Sequence, residues 1–413
     1  MNLTVTICAL TYFAVALGKV PGFRVDRTGA ALLGAIALIV TERIGIEVAW
    51  AAVSVRTVAL LFGLMIVSSA FIVSGFYSVT AATIASLKIG PKALLAVFLG
   101  ASALLSAFLT NDVVVLAMTP LLVSVTVARG LNPTPFLLGF CFASNIGPAA
   151  TPIGSPQNII LAEGFDLSFV AFVKATLVPA LLSLPVTWAL IALFYRGRWF
   201  SAGAAAMPTP TPTPAPLDRR ETTKAAVVAI GVVLAFALTD WPRSLVALAA
   251  GGLLLMNRKI SSGDVLKHVD GDLILLLMGL FIVNAALAAT GLPSELLAYL
   301  RHHGLDLQHP LTLFFVSSAL SNVVGNSAAV LLLTPYASGG AQQPDVTAAA
   351  MALGTGFASN MIIFGSLAGI IVVEQARKRG VDISFGEFAR IGLPVACATL
   401  ALAAGWIVWM SAH

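Results

Sequence analysis

LGFCFASNIGPAATPIGSPQN (Leu138–Asn158) and LGTGFASNMIIFGSLAG (Leu353–Gly369) decide how this chain is read. Each opens as an apolar run suited to a membrane helix, then meets residues that interrupt it. In the first, Pro148, Pro152 and Pro156 lack amide N–H groups and clash one turn back, with Gly147 and Gly154 beside them. In the second, Gly365-Ser366 replaces Gly154-Ser155, and a gentler break is expected. Free backbone groups and polar side chains at membrane depth are costly unless they line a cavity or pair with protein. Two such breaks predict two places where the chain faces something other than lipid.

The composition agrees with a bilayer setting. Of 413 residues 59% are hydrophobic and only 10% charged, against about 45–50% and about 25% in soluble domains. That excludes a cytosolic enzyme, a secreted disulfide scaffold and a disordered tail protein. The net charge of +5 reflects basic residues in short loops. No basic stripe with interleaved aromatics suggests nucleic acid. Cys8, Cys141 and Cys397 lie far apart in apolar runs and read as small apolar packers. The N-terminal stretch has neither a basic start nor a clear cleavage site, so it reads as a retained span.

About 20 helical residues cross the hydrocarbon core. Crossings are predicted at roughly 3–18, 29–41, 57–75, 136–162 and 169–195, then at roughly 223–239, 244–256, 272–290, 346–373 and 386–411. Two further apolar stretches, 94–128 and 309–336, carry polar clusters near their middles. Between the halves, Met207–Lys224 alternates Pro with Thr, an extended tether.

The halves repeat each other. Asn111, Thr119-Pro120 and Leu138–Asn145 recur at an offset of 215 as Asn326, Thr334-Pro335 and Leu353–Asn360. At 216, Arg27 maps to Arg243 and Leu167-Ser168-Phe169 to Ile383-Ser384-Phe385. Repeat one is 1–198, the linker 199–222 and repeat two 223–413. A topology with both termini outside and the linker cytoplasmic puts 18 of the 23 Lys and Arg inside. It needs five crossings per half, with 94–128 and 309–336 as re-entrant hairpins. Five is odd, so the second copy is inverted. The expected fold is an all-α polytopic membrane protein of two inverted-topology repeats, with helices broken at mid-membrane, the pattern of secondary transporters.

Four polar clusters carry the chemistry: Thr110-Asn111-Asp112 and Gly325-Asn326-Ser327 in the hairpins, and the two breaks. The breaks contribute Ser144, Asn145, Thr151, Gly154, Ser155 and Asn158, and Ser359, Asn360, Gly365 and Ser366. A lone Ser or Asn in a membrane helix serves interhelical bonding; four clusters in two symmetric pairs point to a transport site. Half-helix N-termini suit an anion, while unwound carbonyls and Asn oxygens suit Na⁺, with Asn111 and Asn326 as candidate ligands. Asp112 is the one acid expected near mid-membrane, and its repeat partner is Ser327. Proton carriage, Na⁺ coordination and a fixed hydrogen bond all remain open for it. Glu163 and Glu374 read as interfacial helix-end residues, and the His302–His309 run as an exterior loop without metal.

These residues resemble the ion transporter superfamily of arsenite permeases, citrate and dicarboxylate carriers and NhaD-type antiporters. Leu109–Leu122 (LTNDVVVLAMTPLL) resembles the first-hairpin motif of the arsenite-permease branch. Ala150–Glu163 looks like the TPIGNPQN signature of bacterial anion permeases, with Ser155 in place of Asn. Ser359–Phe388 resembles the second-half pattern. The resemblance implies elevator-type alternating access and a homodimer. In sodium-coupled dicarboxylate members the hairpin tips read Ser-Asn-Thr; here neither does, which shifts weight to a proton cycle through Asp112.

The sequence therefore predicts an ion-coupled secondary transporter of a small anion or metalloid oxyacid in the cytoplasmic membrane, with no cofactor beyond H⁺ or Na⁺. The alternatives are a sodium/proton antiporter and, from another class, an anion channel. No HExxH motif, Walker loop or nucleophile with a His partner supports an enzyme.

Overall fold

The computed structural model describes residues 3–18, 22–200, 217–339 and 341–413. Lys19 and residues 201–216 of the expected linker lie outside them. The first half runs α1 (Leu3–Leu17), α2 (Arg27–Val40), α3 (Ile46–Ala52), α4 (Val55–Val73), α5 (Phe76–Ser86), α6 (Pro91–Phe108), α7 (Asn111–Ala128), α8 (Pro133–Ile146), α9 (Pro156–Gly164) and α10 (Phe169–Phe194). The second runs α11 (Arg219–Leu238), α12 (Arg243–Leu255), α13 (Ser262–Leu266), α14 (Gly271–Ala289), α15 (Leu292–His302), α16 (Pro310–Val324), α17 (Asn326–Ser338), α18 (Pro344–Ala358), α19 (Leu367–Arg377) and α20 (Phe385–Ala412). Among the described residues the only extended pairing is an isolated bridge between Leu131 and Phe200. The protein is all-helical.

Seven of these helices, α4, α6, α7, α10, α11, α14 and α20, are long and apolar enough to cross a membrane. At 14 and 13 residues, α2 and α12 are shorter than a full crossing. The short helices α3, α5, α13 and α15 fall between the expected spans, where the hydrophobic pattern alone gives no signal for them.

Local chemistry explains the helix starts. Ser168 and Ser384, matched by the repeat, each cap a long helix, accepting from Ala171 N and Glu387 N at 3.1 Å. Asp26 likewise accepts from Gly29 N at 2.8 Å to begin α2.

Packing sorts the helices into two groups. In one, α4 crosses α12 and α2 crosses α14. The contact residues sit in one register: Gly63 lies against the Ala247 backbone and Gly279 against the Ala31 backbone. Missing side chains at Gly63 and Gly279 let these helices approach closely. The second group holds the hairpins α6/α7 and α16/α17, the broken helices α8/α9 and α18/α19, and the long pair α10 and α20. Here α8 packs on α6 and α18 on α16, while α19 packs on α7 and α9 on α17. Trp406 Nε1 on α20 donates to Ala175 O on α10 at 2.8 Å, tying the long pair together.

Candidate functional site

Both helices break where the sequence interrupts them. After α8, Gly147–Ala150 forms a 3-10 turn, and helix resumes only at Pro156. After α18 the chain turns at Ser359, forms a 3-10 turn over Ile363–Gly365 and resumes at Leu367. The second interruption is nearly as long as the first, so it is not the gentler one the missing prolines suggest. The loop is closely packed, and a Cβ at Gly365 would lie 2.7 Å from Asn322 Oδ1 and 2.8 Å from Ser359 O.

The break side chains are buried and mostly bonded to backbone or to each other. Asn158 Nδ2 donates to Pro148 O at 2.7 Å and Thr151 O at 3.0 Å, closing the first loop on itself. Thr151 Oγ1 donates to Ala107 O on α6 and accepts from Gly154 N, which anchors the loop to the first hairpin. Ser144 Oγ donates to Cys141 O within its own helix. At the centre the two halves meet: Asn145 Nδ2 donates to Asn360 Oδ1 at 2.9 Å and to Ser366 Oγ at 3.1 Å. Asn145 and Asn360 are the same position in the two repeats.

The hairpin tips differ. Thr110 N, at the first tip, donates to Ser68 Oγ on α4 at 3.0 Å. Gly325, between α16 and α17, has φ of 91°, a left-handed value that glycine adopts without strain. The second tip is satisfied internally: Asn326 Nδ2 donates to Ser359 Oγ at 2.8 Å, and Ser359 Oγ donates to Asn326 Oδ1 at 3.1 Å in the alternative hydroxyl orientation. Around the first tip, Ser106 Oγ, Thr110 Oγ1, Asn111 Oδ1, Ser155 Oγ and Asn158 Oδ1 are buried without a hydrogen-bond partner. Around the second tip, among the described residues, Asn322 Oδ1 alone is in that position.

A cavity of about 1420 Å³ ends on these tips. Seven of the predicted site residues line it: Asn111, Asp112, Gly325, Asn326, Ser327, Gly365 and Ser366. Thr110, Ser144, Asn145, Thr151, Gly154, Ser155, Asn158, Ser359 and Asn360 stand behind that wall. Asp112, in the first turn of α7, is partly buried and makes no side-chain hydrogen bond or ion pair among the described residues.

Sequence reasoning missed several wall residues. Asp270 caps α14, accepting from Leu273 N at 2.9 Å, yet faces the cavity within electrostatic range of Asp112. Asp272, Asn322, Gln157 and Arg27 also line it. An acid before a helix reads as a cap, so the sequence gives no sign that Asp270 also faces a cavity. Glu163 makes an ion pair with Arg243 at 3.1 Å, largely buried. His302 and His303 are exposed, and no group of three or more metal-binding side chains occurs among the described residues.

An all-helical, apolar fold with two interrupted helices and a cavity that reaches both hairpin tips has the features of a membrane transporter. The chain belongs to the CitMHS family, described as citrate transporter, whose match covers residues 12–356. It is similar to a 46 kDa membrane protein of Mycobacterium leprae, at 30% identity over 98% of both chains. It is also similar to the silicon efflux transporter LSI3 of Oryza sativa subsp. japonica, at 24% identity over 91% of each. In three dimensions it resembles the Alcanivorax borkumensis YdaH transporter, with a TM-score of 0.58, 16% identity, and coverage of 99% and 98% of the two chains.

Proposed function

We propose that the chain carries a small anion or metalloid oxyacid across the cytoplasmic membrane, coupled to protons through Asp112, by elevator-type alternating access between inverted repeats. One observation carries this reading: a cavity of about 1420 Å³ reaches both hairpin tips and meets a carboxylate there, Asp112, that has no side-chain partner among the described residues. A carboxylate at depth must take up a proton or hold a cation, and either links its charge to what enters beside it. The concentration of Lys and Arg in the loops on that side supports a cavity mouth, with Arg27, Glu374 and Arg377, that opens to the cytoplasm.

The wall also bears on substrate. Its described lining holds six carboxylates, Asp26, Asp112, Asp270, Asp272, Glu374 and Asp382, against two arginines. Such a field repels a multiply charged anion. It suits an oxyacid that keeps its protons at neutral pH, and the silicon named for the rice relative forms one.

A second reading, sodium coupling, is favoured by the buried partnerless oxygens of Thr110, Asn111, Ser155 and Asn158. Hard cations take such ligands. The test uses protein in proteoliposomes loaded with a pH-sensitive dye, given arsenite, silicic acid, phosphate or citrate with and without Na⁺. Proton movement driven by arsenite or silicic acid, and lost in Asp112→Asn, is expected. Na⁺-driven proton movement with no substrate would establish the antiporter instead. Uptake that cannot be driven uphill by either ion would leave a channel.

A further inference from the structure

The ion pairs break the symmetry of the repeats in one informative place. Arg243 opens α12 and pairs with Glu163 near the end of α9, with the side chains 16% and 18% exposed. Arg243 belongs to the crossing group of helices, and Glu163 to a half-helix packed on the second hairpin arm, α17. This largely buried pair joins the two groups.

The repeat supplies its counterpart. Arg27 opens α2 as Arg243 opens α12. Glu374 stands as far beyond Ser366 as Glu163 stands beyond Ser155, and its half-helix α19 packs on α7 as α9 packs on α17. Yet Arg27 makes no ion pair among the described residues. Its Nη1 would lie 3.7 Å from a Cβ at Gly325, beside the second hairpin tip. Glu374 instead holds Lys378, one turn on along its own helix, at 2.9 Å. Both of those side chains are more than half exposed, and such a pair is cheap to exchange. Between Arg27 and Glu374 lies the cavity, which both line. Asp26, Asp270 and Asp272 share that wall, but the repeat register singles out Glu374.

We infer that Arg243–Glu163 and Arg27–Glu374 are alternating latches between the two helix groups. The first is closed and the second open in this state, and they exchange as the cavity opens to the other side. Breaking a buried pair leaves two uncompensated charges, so the first latch holds its face shut until the second can form. The inference rests on the alternating-access reading above.

The test uses the full chain with Cys8, Cys141 and Cys397 replaced, in membranes treated with a reducible bifunctional methanethiosulfonate long enough to span the two side chains that each cysteine pair removes, since a direct disulfide could not. Arg243→Cys with Glu163→Cys, and Arg27→Cys with Glu374→Cys, are each expected to cross-link and to block transport reversibly. Adding Glu163→Gln to the second pair loosens the first latch and should speed that cross-link at least threefold. Exchanging the charges instead, Glu163→Arg with Arg243→Glu, should return it to the starting rate. A second pair that never cross-links in folded protein, or does so at a rate indifferent to Glu163→Gln, overturns the latch. Cross-linking needs no substrate. Exchange without transport of any tested solute would therefore sink the proposed function alone, and transport without exchange would sink the latch alone.

Discussion

The bond between Asn145 and Asn360 allows a sharp calculation. Asn145 donates to Asn360 Oδ1 at 2.9 Å and to Ser366 Oγ at 3.1 Å, and both asparagines are buried. Asn145→Leu removes both donors and leaves Asn360 Oδ1 buried without one. Asn360 Nδ2 keeps only a 3.5 Å contact with Phe142 O. A lost neutral hydrogen bond costs about 1 kcal/mol and a stranded buried acceptor about 1–3 kcal/mol. Interhelical bonds measured in membranes are weaker, averaging about 0.6 kcal/mol. The single substitution should therefore cost about 2 kcal/mol, and Asn360→Leu about the same. The double Leu variant strands neither amide, so it should cost about 1 kcal/mol less than the two singles together. Equilibrium unfolding by titrating denaturing detergent into mixed micelles gives the four free energies. Additivity within about 0.5 kcal/mol, the scatter of independent sites, would refute the claim that this pair couples the two breaks.

Three further predictions test the fold and orientation. A Cβ at Gly63 would lie 2.4 Å from the Ala247 backbone, and one at Gly279 would lie 2.9 Å from that of Ala31. Gly63→Ala should therefore cost about 3 kcal/mol and Gly279→Ala about 1 kcal/mol; equal thermal midpoints in detergent would contradict the crossing geometry. Cysteines at exposed Lys259 and Gln308 should react with an impermeant maleimide from opposite faces, Lys259→Cys from the cytoplasm, and labelling of both from one side would overturn the orientation. The Asp218 carboxylate accepts from Glu221 N and Arg220 N and meets Lys259, which holds it below the usual carboxylate range, chiefly through the Glu221 N–H. Its contribution is present above the ordinary value of about 3.9 and fades as pH falls through the lowered folded one. Asp218→Ala should thus lower the thermal midpoint at neutral pH, with the gap to wild type closing in acid; a gap that widened would show that the carboxylate does not supply it.

Much of the architecture is written where the sequence breaks its own pattern. Pro148 to Pro156 end a helix for reasons of covalent geometry, and the offset of 215 brings Asn145 to Asn360, which bond in the folded chain. Other features need three dimensions. The length of the second break is announced by no proline, and the close packing of Asn322 and Ser359 on Gly365 is visible only in the fold. Asp270 looks like an ordinary cap until the cavity places it within range of Asp112. Arg27 and Arg243 look equivalent, and only the folded chain distinguishes the paired one from the free one. The same holds for the tips, where Asn326 is occupied by Ser359 and Asn111 keeps a bare oxygen.

The long pair α10 and α20 sets a condition on the surroundings. At 26 and 28 residues, each measures about 40 Å at 1.5 Å per residue, against a hydrocarbon core of about 30 Å. The ends that carry Lys174 in one and Glu387 and Arg390 in the other can stand in the headgroup layer, while in thinner lipid the pair, joined by the Trp406–Ala175 bond, has to lean. Pro179 and Pro185 in one and Pro394 in the other give each a place to bend. Acyl-chain length is thus a variable of this protein in its own right, and a reconstitution in short-chain lipid loads the same two helices against which α8, α16 and α18 pack.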